Sequence, residues 1–405
     1  MMERLGLAEP WSRVPAPARR ALLPAVIFLL LIFYPSYYSD LTSAIGTNST
    51  EAQLVPQVPT MVIMTVYVVM ALGLNVVVGY AGLLDLGYVA FYAAGAYVAG
   101  WFATQQFAPH NVHILSVGVP SSVQGLHFNV WLLLIVACAF AALFGIIIGL
   151  PTLRLRGDYL AIVTLGFGEM VPQAVNNGDN WFGHNITNGP NGLTPIDALG
   201  FGSLHNEIGF FPAAYYNVTN AVSYYYWTGI ALVVFTLFCC IRIRDSRLGR
   251  AWVAIREDEI AAAAMGVPLM RTKTWAYAIG AFFGGGAGCF YAIYKSSTFP
   301  GDFSLNISIT VLCMVILGGM GNVWGVCMGG AVLSYLNYQG LEAVGNNFNN
   351  LAGTSFNVPQ YTYGIFGLII VVMMLLRPQG LIPGQRRKVE LELGVEGGSL
   401  YDASA

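Results

Sequence analysis

Long apolar stretches alternate with short polar loops along nearly the whole chain. A helix needs about 20 apolar residues to cross the ~30 Å hydrocarbon core of a membrane. Eight stretches have about this length: 21–38, 58–80, 87–104, 130–150, 224–241, 274–294, 323–344 and 361–376. Two shorter ones, 159–175 and 306–319, could be complete crossings or re-entrant segments, which leaves eight to ten spans. The pattern predicts an all-α, polytopic transmembrane helix bundle with about ten spans.

The positions of the basic residues predict how the spans are oriented. Cytoplasmic loops of membrane proteins collect Lys and Arg. If the N-terminus is inside, 17 of the 18 Lys and Arg residues are cytoplasmic and only Lys295 is outside. We therefore predict an N-in, C-in topology. The first stretch is predicted to be a retained helix rather than a cleaved signal peptide, because Pro24 interrupts it and no A-x-A site follows Phe33.

This topology divides the chain into a cytoplasmic N-terminal tail (1–20), a transmembrane domain (21–380) and a cytoplasmic C-terminal tail (381–405). Within the transmembrane domain, 242–273 is a long cytoplasmic loop, and 105–129 and 176–223 are extracytoplasmic loops. The last of these is rich in Asn, Gly and Pro and carries aromatic residues at 210–216. It suits either a docking surface for a soluble partner or a passive connector.

Composition agrees with a membrane protein and excludes other classes. Apolar residues make up 56% of the 405 and charged residues 9%, with a mean hydropathy of +0.63. A soluble domain has about 25% charged residues. The six cysteines lie within apolar stretches, and the sequence has no CxxC pair and no Cys/His cluster with metal-ligand spacing. We therefore predict no metal site, no catalytic residue and no nucleic-acid partner.

Two Gly-rich segments interrupt the apolar pattern: the first break, residues 79–87, and the second break, residues 318–321. Each follows an apolar run and precedes a helix rich in small residues, as in the repeats of transporters. An unwound helix exposes backbone groups that must line a protein-enclosed or watery path, whereas packing glycines are the alternative explanation. The residues predicted to line a translocation path are Asn75, Gly79, Gly82, Asp85, Gly87, Glu169, Gly318, Gly319 and Gly321.

Asp85 and Glu169 are the main ionisable candidates within the membrane, where such groups are costly and usually functional. Glu169 could pair with a substrate ammonium group or make a structural hydrogen bond. In an ion-coupled secondary transporter, the main rival class, the two carboxylates would carry the coupling ion.

The chain lacks a nucleotide-binding motif of its own. The phosphate-binding pattern G-x-x-x-x-G-K-[ST] needs a lysine after glycine, but the three lysines follow Thr272, Tyr294 and Arg387. The cytoplasmic segment 248–266 is predicted to be helical over 250–265, and its apolar face and small residues suit the groove of a partner protein, with a solvated helix as the alternative. The residues predicted to couple to such a partner, an ATPase in the transporter that the resemblance below implies, are Arg250, Trp252, Ile255, Glu259, Ala262, Ala263 and Gly266. Glu259 could pair with a basic residue of that partner.

Five segments resemble, in order, the LivM-type permease of branched-chain amino acid ABC importers, and the resemblance covers nearly the whole chain from about residue 60. They are GLNVVVGYAGLLDLGYVAFYAAGAY (73–97), PTLRLRGDYLAIVTLGFGE (151–169), LGRAWVAIREDEIAAAAMG (248–266), VILGGMGN (315–322) and RPQGLI (377–382). The third departs from the usual coupling pattern, E-A-A followed after three residues by Gly. Ile260 stands where the Glu is expected, and Glu259 is one residue early.

The resemblance implies a permease subunit of the bacterial inner membrane without a cofactor of its own. The implied partners are a LivH-type second permease, two cytoplasmic ATPase subunits that bind ATP and Mg²⁺, and a periplasmic substrate-binding protein. The implied substrate is Leu, Ile, Val or a related apolar amino acid. A related urea or amide importer is the alternative. A structural membrane subunit that transports nothing is a third possibility, which the two Gly-rich breaks weaken.

Overall fold

The computed structural model describes residues 30–45, 54–107, 111–114, 124–155, 157–181, 183–199, 222–352, 358–377 and 380–382. The predicted N-terminal tail, the first half of the first predicted span, the aromatic residues at 210–216 and nearly all of the C-terminal tail lie outside this part. The chain divides into two compact units, residues 1–58 and 59–405.

Helices make up most of the described chain. They are α1 (Tyr34–Ile45), α2 (Val58–Leu74), α3 (Val89–Phe102), α4 (Val130–Thr152), α5 (Asp158–Asn176), α6 (Val222–Arg244), α7 (Arg247–Glu257), α8 (Glu259–Ala264), α9 (Leu269–Lys295), α10 (Leu305–Gly318), α11 (Val323–Tyr335), α12 (Leu341–Ala352) and α13 (Thr362–Leu376). A π-helical turn, Asn75–Tyr80, continues α2, and a second one, Leu336–Gly340, joins α11 to α12. Short 3₁₀ turns lie at Gln105–Phe107, Gly178–Asn180, Gly189–Asn191, Pro300–Phe303 and Val358–Tyr361.

Each predicted span from residue 58 onward coincides with a helix, so the predicted helical bundle is confirmed. Two apolar helices, α3 and α13, are shorter than a full crossing. Within the described residues, five helical stretches are long and apolar enough to cross a membrane: Val58–Tyr80, Val130–Thr152, Val222–Arg244, Leu269–Lys295 and Pro300–Gly318. The count of ten crossings and the N-in, C-in orientation remain predictions.

A small three-stranded sheet departs from the all-α prediction. Strands β1 (Ala103–Thr104), β2 (Asn111–Ile114) and β3 (Gly125–Phe128) are arranged in the order β1-β3-β2. The first pair is antiparallel and the second is parallel. Strands of two to four residues are too short to produce a readable alternation of polar and apolar positions, so the sequence pattern indicated only a loop.

The sheet joins the two long loops through a buried polar contact. His127 of β3 donates from Nδ1 to the carboxylate of Asp197 at 2.7 Å, and the backbone N–H of Asp197 donates to the carbonyl of Ala103 at 2.9 Å. Burial raises the pKa of Asp197 above its ordinary value, and the contact with His127 acts in the opposite direction. The loops 105–129 and 176–223 therefore form one ordered region where they are described.

Helix α9 lies at the centre of the larger unit, packed against α3 and α4. Of the apolar stretch of α9, 83% is buried, whereas only 28% of the corresponding stretch of α6 is buried. Helix α6 therefore lies at the periphery. Small residues allow this close packing. A β-carbon added to Gly95 of α3 would lie 1.9 Å from the carbonyl oxygen of Gly285 in α9, so the two backbones touch.

Candidate functional site

The first break begins as a widened helix rather than an unwound one. Residues Asn75–Tyr80 form the π-helical turn that continues α2, and all six are buried. At its end, the Ala81 N–H donates to the carbonyl of Val76 at 3.3 Å. Such turns are rare and occur frequently at functional sites. The irregular part of the break is residues 81–88, so it begins two residues later and ends one residue later than the predicted break, 79–87.

The irregular segment 81–88 precedes α3, which by itself is too short to cross the membrane. That helix has 14 residues, about 21 Å, which is less than the ~30 Å of the hydrocarbon core. Backbone groups at membrane depth need partners inside the protein. The N–H of Leu86 donates to the Thr164 hydroxyl at 3.1 Å, and that of Val89 donates to the Ser308 hydroxyl at 2.9 Å. Side chains of α5 and α10 therefore hold this segment in place.

Thr164 and Ser308 are functional candidates that the sequence reasoning missed. Each hydroxyl lies within an apolar helix, where Ser and Thr usually bond to their own helix backbone and carry no distinctive signal. Only the position of segment 81–88 identifies them as its partners.

Gly87 of the first break lies directly against helix α5. A β-carbon at this position would be 2.2 Å from the carbonyl oxygen of Thr164. On the other side of the contact, a β-carbon at Gly168 would be 3.1 Å from the Gly87 Cα. Only glycine fits at position 87, because the opposing atoms are backbone and cannot move aside.

Asp85 faces the interior of the bundle and is 1% exposed. One carboxylate oxygen accepts a hydrogen bond from the Gly87 N–H at 2.9 Å, and the other has no partner among the described residues. The Tyr277 hydroxyl of α9 is also buried, with no hydrogen-bond partner in the described part of the chain, and the Asp85 and Tyr277 side chains line a small cavity. The cavity has a volume of about 10 Å³, which is near the smallest that holds one water molecule.

Glu169, unlike Asp85, lies on the outer surface of the described chain. It is exposed on α5, on the same face as the exposed apolar residues Ile162 and Leu165. The two ionisable candidates therefore do not share one pocket: Asp85 is enclosed and Glu169 is open. Their predicted place along a path stays a prediction.

The second break separates α10 from α11. Gly319 and Gly321 have φ values of +108° and +84°, which L-residues with a side chain rarely adopt. Asn322 then starts α11 by accepting a hydrogen bond from the Trp324 N–H. The prediction that the helix is interrupted here is confirmed.

The two breaks meet in space, which the sequence did not indicate. The Asn75 side-chain oxygen accepts a hydrogen bond from the N–H of Gly321 at 2.9 Å. A β-carbon at Gly79 would lie 2.7 Å from that same nitrogen. Asn75, Gly79 and Gly321 therefore form one contact between the end of α2 and the start of α11.

The segment 380–382 covers the second break. The N–H groups of Leu381 and Ile382 donate to the carbonyls of Leu317 and Gly318 at 2.8 and 3.3 Å. These carbonyls lie at the C-terminal end of α10, where helices leave acceptors unsatisfied. The contact gives a physical role to the C-terminal motif RPQGLI.

The predicted coupling segment forms two helices, α7 and α8, instead of one. The prediction of a single helix over 250–265 is wrong because the backbone at Asp258 is extended. Its carboxylate oxygen accepts hydrogen bonds from the N–H groups of Ile260 and Ala261 at 2.8 and 3.0 Å and so starts α8. Helix α8 ends at Ala264, and Gly266 just beyond it has a φ of +83°. The N–H groups of Gly266 and Val267 bond back to Ala263 and Ala262, as in a Schellman motif.

The predicted coupling residues divide by burial. Trp252, Ile255 and Ala262 are buried within the chain, and the Trp252 ring N–H donates to the carbonyl of Thr272 at 2.8 Å. The others are accessible: Arg250, Ala263 and Gly266 are exposed, and Glu259 is partly exposed. The buried residues therefore attach α7 and α8 to the start of α9, and the accessible ones face outward.

Glu259 forms an ion pair within this chain. Its carboxylate lies 2.8 Å from the ammonium group of Lys273, whose side chain is 4% exposed.

We expect Lys273→Met to lower the free energy of unfolding by about 2 kcal/mol, between the values for exposed and for buried pairs. Thermal unfolding of the purified chain, in a double-mutant cycle with Glu259→Gln, measures this. Additive losses would show that the two side chains do not interact.

Arg256, near the end of α7, is the residue of this region that the sequence reasoning did not select. Its Nη1 donates to the carbonyl of Gly79 at 2.5 Å. A β-carbon at Gly82 would lie 2.7 Å from its Cγ, and one at Gly321 would lie 3.3 Å from its Nη1. The sequence analysis used Arg256 only as one of the basic residues that predict the topology.

The chain has clear relatives among known proteins. Residues 58–374 match the family described as branched-chain amino acid transport system / permease component. Over 343 residues, 82% of this chain and 71% of the relative, the chain is 38% identical to the high-affinity branched-chain amino acid transport system permease protein LivM of Escherichia coli. The LivM protein of Salmonella typhimurium is 38% identical over 339 residues, which are 81% of this chain and 70% of that protein.

A more distant relative is the probable branched-chain amino acid transport permease protein LivM of Methanocaldococcus jannaschii. It is 26% identical over 343 residues, 78% of this chain and 90% of that protein. No solved structure is significantly similar to the chain. The family match and the identity to two LivM proteins lead to one conclusion: the chain belongs to the branched-chain amino acid transport permease family, as a LivM-type membrane permease subunit of an ABC importer.

Proposed function

We propose that this permease translocates Leu, Ile, Val or related apolar amino acids across the bacterial inner membrane, driven by ATP that partner subunits hydrolyse. In this proposal it pairs with a LivH-type permease, two cytoplasmic ATPase subunits and a periplasmic substrate-binding protein. ATP and Mg²⁺ bind to the ATPase subunits, since the sequence of this chain lacks the phosphate-binding lysine motif.

The observation that carries the proposal is the exposed apolar surface of α8. Ile260 is 73% exposed, Met265 just after the last turn of α8 is 85% exposed, and Ala263 is also exposed. Apolar side chains exposed on a short helix suit a hydrophobic groove of a partner protein. In the proposal this surface contacts an ATPase, while Trp252 and Glu259 hold α7 and α8 against α9 from inside.

The contacts at the two ends of the bundle support the proposed N-in, C-in topology. Backbone groups of Leu193 and Thr298, both predicted to be outside, bond to each other at 3.0 and 3.1 Å. Arg256, Gly79 and Gly321, all predicted to be inside, also lie together. A wrong span between these positions would separate the members of each group.

The exposed face of α5 supports a path at the contact with the second permease. An ionised carboxylate that faces lipid at membrane depth is costly, and Glu169 is exposed with Ile162 and Leu165 around it. In the proposal this face lines the path together with segment 81–88, and Glu169 pairs with the substrate ammonium group.

The complete complex in liposomes tests the proposed function. With ATP inside and the binding protein outside, we expect uptake of labelled Leu, Ile or Val and none of urea. A complex whose ATPases lack the phosphate-binding lysine should take up nothing. If the purified chain alone moved amino acid along an imposed proton or sodium gradient, the chain would be an ion-coupled transporter and the proposal would be wrong.

A further inference from the structure

Arg256 touches two segments that lie far from it and from each other in the sequence. Its guanidinium donates to the Gly79 carbonyl, its Cγ occupies the space that a side chain at Gly82 would need, and its Nη1 lies beside Gly321. A single side chain of α7 therefore contacts both the first and the second break.

The contact with Gly79 suits a cation. This carbonyl lies one residue from the end of the π-helical turn, where the backbone becomes irregular and helix carbonyls lose their helical partners. Aligned peptide dipoles also make the C-terminal end of a helix partly negative. A guanidinium placed there holds the end of the turn, and Asn75 holds the same turn to Gly321.

Arg256 is also close to the exposed surface of α8. Helix α7 ends at Glu257 and α8 begins at Glu259, with the extended residue Asp258 as the sole link. Because the Trp252 ring bonds to Thr272, the rest of α7 is fixed to α9. A displacement of α8 by a partner strains the ion pair between Glu259 and Lys273 and is passed through Asp258 to the end of α7 that carries Arg256.

We propose that Arg256 is the positioning residue through which α7 and α8 control the conformation of both breaks. This inference rests on the proposed function, because the displacement comes from the ATPases. When α8 moves, Arg256 leaves or regains the Gly79 carbonyl, and the π-helical turn and the contact with Gly321 change together. Coupling between sites requires such an element with two arrangements that both sites influence.

Arg256→Met tests the proposal in the complete complex, because it keeps the aliphatic stem beside Gly82 and removes the donor to Gly79. We expect the ATPases to stay bound and to hydrolyse ATP, while the amino acid imported per ATP falls about 10-fold, within the range found for coupled sites. Arg256→Lys keeps the charge and one donor, and should recover most of the ratio. Import per ATP at the wild-type level in Arg256→Met would overturn the proposal.

Arg247→Met is the matched control, because Arg247 is exposed at the opposite end of α7. It should leave the ratio unchanged, and an equal loss in this variant would reduce the effect to a general loss of charge.

Amide hydrogen exchange separates this proposal from the proposed substrate. The amides of Ala81 and Leu83 bond to the carbonyls of Val76 and Val77, so their exchange, measured in the assembled complex, reports on the turn. We expect these amides to exchange faster in Arg256→Met than in wild type, whatever the complex transports. An unchanged exchange rate would refute the role of Arg256, whereas a wild-type complex that imports no amino acid would refute only the proposed function.

Discussion

Gly266→Trp is expected to abolish substrate uptake, because the new ring would stand beside the exposed surface of α8 that we propose contacts an ATPase. A β-carbon at Gly266 meets no atom within 4 Å, so the folded chain has space for the side chain. The φ of +83° adds a backbone cost of about 1–2 kcal/mol, which the fold should tolerate. A bulky misfit at the centre of an interface costs about 2–4 kcal/mol, which is about 30- to 700-fold in affinity.

Capture of the ATPase subunits by the purified permease, together with uptake into liposomes, measures this effect. Gly183→Trp is the matched control, since Gly183 has a φ of +82° and an equally open environment but lies in the predicted extracytoplasmic loop. It should bind the ATPases like wild type. If Gly266→Trp retained both ATPase capture and full uptake, α8 would be only a solvated connector.

Gly82→Leu is expected to reduce uptake about 10-fold or more while leaving insertion and ATPase capture intact. Gly82 is exposed and has a φ of +68°, and a β-carbon there would lie 2.7 Å from the Cγ of Arg256. The larger side chain must push Arg256 away from the Gly79 carbonyl. Because the Cβ and backbone Cα of Arg256 also lie within 3.1 and 3.4 Å of that β-carbon, this end of α7 must shift together with the side chain, and the loss should appear in transport.

Gly367→Leu provides the comparison for this substitution. Gly367 lies in the apolar helix α13, and a β-carbon there meets nothing within 4 Å. Leucine is also the better helix former by several tenths of a kcal/mol, so the amount of inserted protein should not fall. Wild-type uptake by Gly82→Leu would mean that the glycines of the first break serve packing alone.

The positions of the helices and of their interruptions could be predicted from the sequence. Apolar runs of membrane length predicted the helices from residue 58 onward, and clustered glycines predicted both breaks. These features depend on local properties: the periodicity of apolar residues, and the positive φ that Gly319 and Gly321 adopt at little cost. The helical structure of the predicted coupling segment was predicted in the same way, except that Asp258 was not recognised as the start of a second helix.

Which residues meet was decided only by the tertiary structure. In a membrane, lipid is as apolar as a leucine side chain, so hydropathy does not show which face of a helix contacts protein. The apolar pattern therefore could not predict the contact between Asn75 and Gly321, the burial of Trp252 or the pairing of Glu259 with Lys273. The same holds for Thr164 and Ser308, because a hydroxyl in an apolar helix acquires a role only when an irregular backbone segment lies beside it.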